Sequence, residues 1–305
     1  MEYFYDKFPG QILNTSINRY IYISISTHFE RGMKLRYSEN EMVKNVNEIK
    51  HTRIKAVLKY FDIKNKNLEI TSTADIPSKG TGLGSSSSFT VGIVKALALY
   101  KNIKLTKREI AEIACKIEID ILKEPIGKQD QYAAALGGLN LSTFKKNGKV
   151  EVKKVNISTS IKRNLENHLF MVYTQMTRSS SDILSEQQKD LEKKLGYLKQ
   201  MADYAKQGEA ALKNNDLKQF AKILEKEWTV KKNLASITNT RIENMYKKAK
   251  ALGAWGGRIS GAGGGGFMIL IAPHSIKLKL IEAFGEENII CPKITERGVQ
   301  SICDA

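Results

Sequence analysis

The chain has 305 residues, enough for two domains of ordinary size with a core each, and its 49 Lys and Arg against 32 Asp and Glu give a formal net charge of +17. The lysines are spread along the whole chain beside Glu, Asn and Ile, as on solvated helix faces, which argues against a nucleic-acid module and leaves the charge as an attraction for anionic small molecules. No window approaches the ~18 apolar residues of a membrane span, no secretory leader pattern opens the chain, and Cys115, Cys291 and Cys303 have no metal-ligand spacing, so a soluble, cytoplasmic protein without a disulfide framework or structural zinc is expected.

In chain order, residues 21–25 are rich in β-formers, the apolar spacing over 49–60 predicts a helix, and 68–76 alternates as a strand before Pro77. A glycine-serine loop opens an apolar segment, 89–100, long enough for a buried helix. Residues 107–122 read as a further helix, followed by Pro125-Ile126-Gly127 and a short helical piece through Ala135. The Asn147-Gly148 pair predicts a hairpin between strands 139–144 and 150–155. The second half opens on a strand at 169–173 and continues with helices over roughly 182–207, 216–234 and 240–252. A second glycine cluster, 253–266, then leads into a strand at 267–272 and a last helix from near His274. The pattern turns polar over 156–168, which places the division between domains 1–160 and 161–305.

Residues 77–88, Pro-Ser-Lys-Gly-Thr-Gly-Leu-Gly-Ser-Ser-Ser-Ser, lie between a predicted strand and a predicted helix. Glycines there let successive backbone N–H groups turn inward, and the helix start adds partial positive charge, which together suit a phosphate. The serine hydroxyls could cap the helix and reach phosphate or a metal, while the absence of a Lys after the last glycine excludes a Walker loop. Gly261-Ala262-Gly263-Gly264-Gly265-Gly266 matches the dinucleotide fingerprint in its letters but follows a helix and precedes a strand, the reverse of the required order. It reads instead as a turn, or as a loop that passes close to a triphosphate or braces the first loop. Asp130, in Gly127-Lys128-Gln129-Asp130-Gln131-Tyr132, stands at a helix start, either as its N-cap or as a group that takes a proton from, or orients, a substrate hydroxyl. Glu118 is the charged member of a stripe with Ala111, Cys115 and Leu122, so it needs a partner, a basic side chain or Mg2+.

In order and spacing, the 77–88 loop, Glu118 with Gly-x-Gln-Asp-Gln at 127–131, and Arg258-Ile259-Ser260 leading into Gly261–Gly266 resemble the GHMP kinases. Residues 127–134, with Gly137-Gly138-Leu139-Asn140 and Thr177-Arg178-Ser179, are most similar to the D-glycero-D-manno-heptose 7-phosphate kinases of that superfamily, and the likeness covers nearly the whole chain. The resemblance implies an α/β (α+β) two-domain fold: an N-terminal mixed α/β domain that binds ATP and a ferredoxin-like C-terminal domain. It implies an ATP-dependent kinase acting on a sugar or sugar phosphate, here heptose 7-phosphate at its anomeric hydroxyl to give the 1,7-bisphosphate, with ATP and Mg2+ as cofactors. By the same resemblance Gly80, Gly82, Leu83, Gly84, Ser85, Ser86 and Ser87 would cradle the phosphates, Gly261, Ala262 and Gly263 would support the nucleotide, and Ser86 with Glu118 would hold Mg2+. Asp130 would face the acceptor hydroxyl, and Thr177, Arg178 and Gln131 would lie near the sugar or its phosphate.

Two departures accompany the likeness. Family members begin with a strand resembling Pro-Leu-Arg-Ile-Ser and a loop resembling Gly-Gly-Gly-Thr-Asp, which supply a basic residue near the catalytic Asp and an acidic contact to the sugar. Here both are expected to be missing, since Glu2 to Gly10 and Asn14-Thr15-Ser16-Ile17 look like the segment that comes after that loop in relatives. The separation of twelve from Glu118 to Asp130 is also about one residue longer than in some relatives. The alternatives are another GHMP acceptor, such as galactose, fucose, a uronic acid or mevalonate, and a nucleotide-binding protein without full catalytic activity. The long helix expected over 182–207 could form a homodimer or cover the C-terminal sheet.

Overall fold

The computed structural model describes residues 8–64, 67–77, 80–177, 183–185 and 191–302. In chain order the main elements are β1 (Gly10–Thr15), β2 (Ile21–Thr27), β3 (Gly32–Arg36), β4 (Asn40–Val43), α1 (Thr52–Tyr60), β5 (Asn67–Ala74), α2 (Ser85–Tyr100), α3 (Lys107–Cys115) and α4 (Gln129–Leu136). They continue as β6 (Leu139–Phe144), β7 (Val150–Lys154), α5 (Thr159–His168), β8 (Leu169–Tyr173), α6 (Leu191–Lys213), α7 (Leu217–Lys231), α8 (Thr240–Ala251), β9 (Gly256–Ile259), β10 (Phe267–Ile271), α9 (Lys277–Phe284) and β11 (Ile289–Ile290).

Two compact units are built from interleaved segments. One takes the chain up to Asn18, Gly80–Leu83 and Gly138–Thr295; the other takes Arg19–Lys79, Gly84–Gly137 and the chain from Glu296 on. The division expected near residue 160 therefore falls inside the first unit. The reason is pairing: β1 runs antiparallel to β6 with Leu13 opposite Leu141, and β6 runs antiparallel to β7 with Phe144 opposite Val150, so this three-stranded sheet stays together.

The first unit also holds a four-stranded sheet in the order β11-β8-β10-β9, with β10 antiparallel to both its neighbours. The run β8, helices, β9, β10, α9, β11 in that spatial order is the ferredoxin-like arrangement, as the resemblance implied. Phe170, Val172, Met268 and Leu270 of its strands pack with Trp228 and Ile242 in one apolar cluster, while Leu139, Leu141 and Ile271 share another with Leu212 and Leu217. Residues 156–168, read as a polar boundary, contain α5: Ser158 accepts a hydrogen bond from Ile161 N–H at its start, and Leu165 is buried. Gly256 and Gly257, read as part of a loop, belong to β9, because a methyl at Gly257 would lie 2.1 Å from the Ile269 carbonyl oxygen of β10. The helix expected over 182–207 is observed as α6, Leu191–Lys213; its expected start lies partly outside the described residues.

The second unit has a mixed sheet, β2-β5-β3-β4, in which β5 runs antiparallel to β2 and parallel to β3. Met33, Leu35, Leu68 and Ile70 are buried from it. Helix α2 buries Val91, Ile93, Val94, Leu97 and Ala98, each large aliphatic worth ~1.5–3 kcal/mol on leaving water. Gly92 lets that helix approach β2, since a methyl there would stand 2.9 Å from Ile23 Cγ1. Among the described residues no helix is long and apolar enough to cross a membrane.

Candidate phosphate-binding and catalytic site

Helix α2 begins in the second unit at Gly84, which adopts a left-handed conformation (φ 69°) and, lacking a side chain, gives the first turn no capping hydrogen bond. The serines after it diverge. Ser86 is exposed, whereas Ser85 and Ser87 are buried, and the Ser87 hydroxyl donates to Glu118 Oε2 at 2.9 Å. The backbone of Ser87 remains at the helix start, but its hydroxyl is turned away from the role of phosphate ligand.

Glu118 is 0% exposed and accepts from four side chains. Arg53 Nε (3.0 Å) and Thr90 Oγ1 (2.9 Å) donate to Oε1; Ser87 Oγ (2.9 Å) and Gln131 Nε2 (2.6 Å) donate to Oε2. The expected basic partner is thus Arg53, from α1, whose Nη2 also donates to Glu124 Oε1 at 2.7 Å. Glu118 sits in a π-helical turn, Lys116–Ile121, that continues α3. A π turn takes up one more residue than an α turn and lies within the stretch from Glu118 to Asp130. Burial pushes the thiol of nearby Cys115 well above the usual range, so it is an inert, protonated side chain.

Asp130 is not the N-cap of α4. That position belongs to Lys128, and Asp130 stands in the first turn with its carboxyl group against Gly84: a methyl placed at Gly84 would lie 3.2 Å from both Cβ and Cγ of Asp130. One residue on, about 100° round the helix, Gln131 points the other way. It is 0% exposed, and its Nε2 donates to Glu118 Oε2 at 2.6 Å.

In the first unit, three backbone segments interlock around Gly80–Leu83. Phe267 N–H and the Ser260 hydroxyl donate to the Thr81 carbonyl oxygen, at 3.1 and 3.3 Å. A methyl at Gly266 would lie 2.2 Å from that same oxygen, and one at Gly261 would lie 2.6 Å from Gly82 Cα. The run Gly261 to Gly266 is therefore the brace of the first loop. Lys231, a buried α7 side chain, donates from Nζ to the Gly261 carbonyl oxygen, and Gly263 packs on Ile237. Ala262 is half-buried against the apolar cluster. Thr177 is exposed beside the loop, 2.6 Å from where a methyl at Gly80 would be. Arg178 lies outside the described residues.

A phosphate chain suits this backbone. Gly80 and Gly82 have φ near +70° in the first unit, and in the second Gly84, φ 69°, opens a sixteen-residue helix whose N-terminus suits an anion. The Mg2+ pair fits less well. Glu118 and the hydroxyls offer the oxygen donors Mg2+ prefers, yet each carboxylate oxygen already accepts two hydrogen bonds, which uses its roughly four acceptor positions. Ser86 and Glu118 do not form a ready metal pair in this arrangement. Among the described residues no group of three or more His, Cys, Asp or Glu side chains is placed to hold a metal. Sequence reasoning had named neither Arg53 nor Thr90 nor Lys231; the one signal for the first was that a lone Glu118 on an apolar stripe requires a cation.

Two family models match the chain: the GHMP kinases N-terminal domain over residues 47–138 and the GHMP kinases C-terminal domain over residues 209–289. Over 97% of its length the chain is 33% identical to the D-glycero-alpha-D-manno-heptose 7-phosphate kinase of Campylobacter jejuni, of which it covers 92%. It is similar to the crystal structure of a D-glycero-D-manno-heptose 1-phosphate kinase from Bacteriodes thetaiotaomicron, with TM-score 0.77, 26% identity, and 96% and 90% of the two chains covered. A putative sugar kinase from Campylobacter jejuni superposes with TM-score 0.74 at 30% identity, covering 95% and 88%.

Proposed function

The chain belongs to the GHMP kinases, ATP-dependent phosphotransferases with an alcohol acceptor, and from that membership we propose that its acceptor is D-glycero-D-manno-heptose 7-phosphate, phosphorylated on the anomeric hydroxyl. The observation that carries the reading is the placement of the Asp130 carboxyl against Gly84, at the start of α2. The similarity to the Campylobacter jejuni heptose 7-phosphate kinase over nearly all of both chains supports the choice of acceptor.

The phosphates of ATP rest on the backbone at the start of α2, Gly84 to Ser87, where N–H groups and the α2 dipole offset their charge. Asp130 takes the proton of the acceptor hydroxyl, or holds that hydroxyl in line, as its oxygen attacks the γ-phosphorus. The bond from phosphorus to the β–γ bridging oxygen breaks, ADP leaves, and the 1,7-bisphosphate forms. Positioning and charge neutralisation supply most of the rate. No step is assigned to Mg2+ on Glu118, whose acceptor positions are taken by protein donors.

A coupled ADP-release assay with MgATP and heptose 7-phosphate, its product followed by phosphorus NMR, tests the reading. A new anomeric phosphate signal beside the retained 7-phosphate is the expected result. Turnover only with galactose, fucose, a uronic acid, mevalonate or a heptose 1-phosphate would replace the acceptor, and ATP binding without turnover on any of them would leave a nucleotide-binding protein.

A further inference from the structure

The start of α2 and the start of α4 belong to helices that must keep a fixed relation if Asp130 is to stay against Gly84. Glu118 accepts from both: Ser87 and Thr90 donate from α2, Gln131 from α4. A carboxyl group with no exposed surface has no water to hold it and is kept in place by its protein partners, of which the basic one comes from a third helix. That partner is Arg53, on α1. Its guanidinium is used twice: Nε on Glu118 Oε1 at 3.0 Å and Nη2 on Glu124 Oε1 at 2.7 Å. Glu124 lies on the link between the π turn and α4, and its N–H donates to the Glu118 carbonyl oxygen at 3.0 Å. One side chain therefore fixes both the buried carboxylate and the segment that leads to Asp130.

We propose that Arg53 is a positioning residue for phosphoryl transfer: by pairing with Glu118 and Glu124 together it holds the α4 start, and with it the Asp130 carboxyl, against Gly84. The inference rests on the kinase reading for its turnover measurement and on geometry alone for the rest. Lysine cannot replace arginine here, because a single ammonium lacks the planar fork that reaches two carboxylates in fixed directions.

The experiment compares wild type with Arg53→Met, Arg53→Lys and Glu124→Gln, well below their unfolding temperatures. Hydrogen exchange is followed over Gln129–Tyr132 and over Phe267–Ile271, and ADP affinity and turnover are measured on the same samples. The expected result is faster exchange at Gln129–Tyr132 in all three variants with Phe267–Ile271 unchanged. ADP affinity should stay within about threefold while kcat falls at least ~10-fold in Arg53→Met and less in Arg53→Lys. Unchanged exchange at Gln129–Tyr132 would overturn the proposal whatever the acceptor proves to be. A lowered melting temperature with unaltered kcat would reduce Arg53 to a structural ion pair, and parallel loss of kcat and ADP affinity would place its effect on the phosphate loop instead. Should Arg53→Met not fold, Glu124→Gln, which keeps the Arg53–Glu118 pair and removes the negative charge that Arg53 Nη2 meets, gives the deciding exchange and kcat values.

Discussion

The Asp130 carboxyl group lies against the α-carbon of Gly84: a methyl on that glycine would stand 3.2 Å from both Cβ and Cγ of the aspartate. Glycine at 84 therefore serves two ends. It adopts φ 69°, which a side chain makes costly, and it leaves room for the carboxylate at the head of α2.

Gly84→Ala should lower both stability and turnover. The left-handed conformation alone costs roughly 1–2 kcal/mol for a residue with a Cβ, and the new methyl displaces Asp130. A thermal melt alongside a steady-state assay checks this, with kcat expected to fall several-fold, because the 3.2 Å approach makes the carboxyl give by a few tenths of an ångström and rate falls steeply with misplacement. A variant with wild-type kcat would mean that the approach of these two residues has no bearing on the chemistry.

Asp130→Asn should reduce kcat by ~10²-fold or more while leaving nucleotide affinity nearly unchanged, since an amide keeps the shape and loses the base. Isothermal titration with ADP and turnover under saturating substrates separate the two effects. Near-normal turnover would remove Asp130 from the reaction.

Gly261→Ala should weaken nucleotide binding without touching Asp130. Its methyl would lie 2.6 Å from Gly82 Cα and push the Gly80–Leu83 backbone out of shape. ADP affinity is expected to drop at least ~10-fold, and pairing this change with Gly82→Ala should cost less than the sum of the two, because both disturb one contact. Full additivity would show the two loops to be independent.

Stability should fall in acid in part through Glu209. The hydrogen bond from Lys213 holds its carboxyl below the usual range, opposed by burial and assisted by Lys153, at 2.7 and 3.2 Å. A carboxylate depressed in the folded state contributes stability above its unfolded pKa, near 4.5, and that contribution is lost as pH falls through the folded value. Denaturant unfolding at a series of pH values should show a shallower acid decline for Glu209→Gln than for wild type. Identical slopes would assign the acid sensitivity to other groups.

Much of this was legible in the chain. The Asn147-Gly148 pair gave the β6–β7 hairpin with its strands within a residue of their observed ends, and apolar spacing gave α1, α2 and α7 to within a few residues. The two glycine runs, Asp130 at a helix start and a Glu118 in need of a cation are all sequence-local facts. The short strands β1, β3, β4 and β9 were not legible. Each is only four to six residues long, and what makes each a strand is a partner elsewhere: β1 exists because Leu139–Phe144 lies beside it.

What the sequence determined by itself, then, is backbone chemistry that neighbours along the chain decide: where glycine permits φ near +70°, where a helix can begin, and which residue types are available for phosphate and proton transfer. Tertiary structure decided how these were used. It turned Ser87 and Gln131 inward to Glu118, supplied Arg53 as the cation, made the Gly261 run the brace of Gly82, and interleaved the two units instead of dividing them at residue 160. Those outcomes depend on which side of each helix is covered and which distant strand pairs, energies set by residues far apart in the chain.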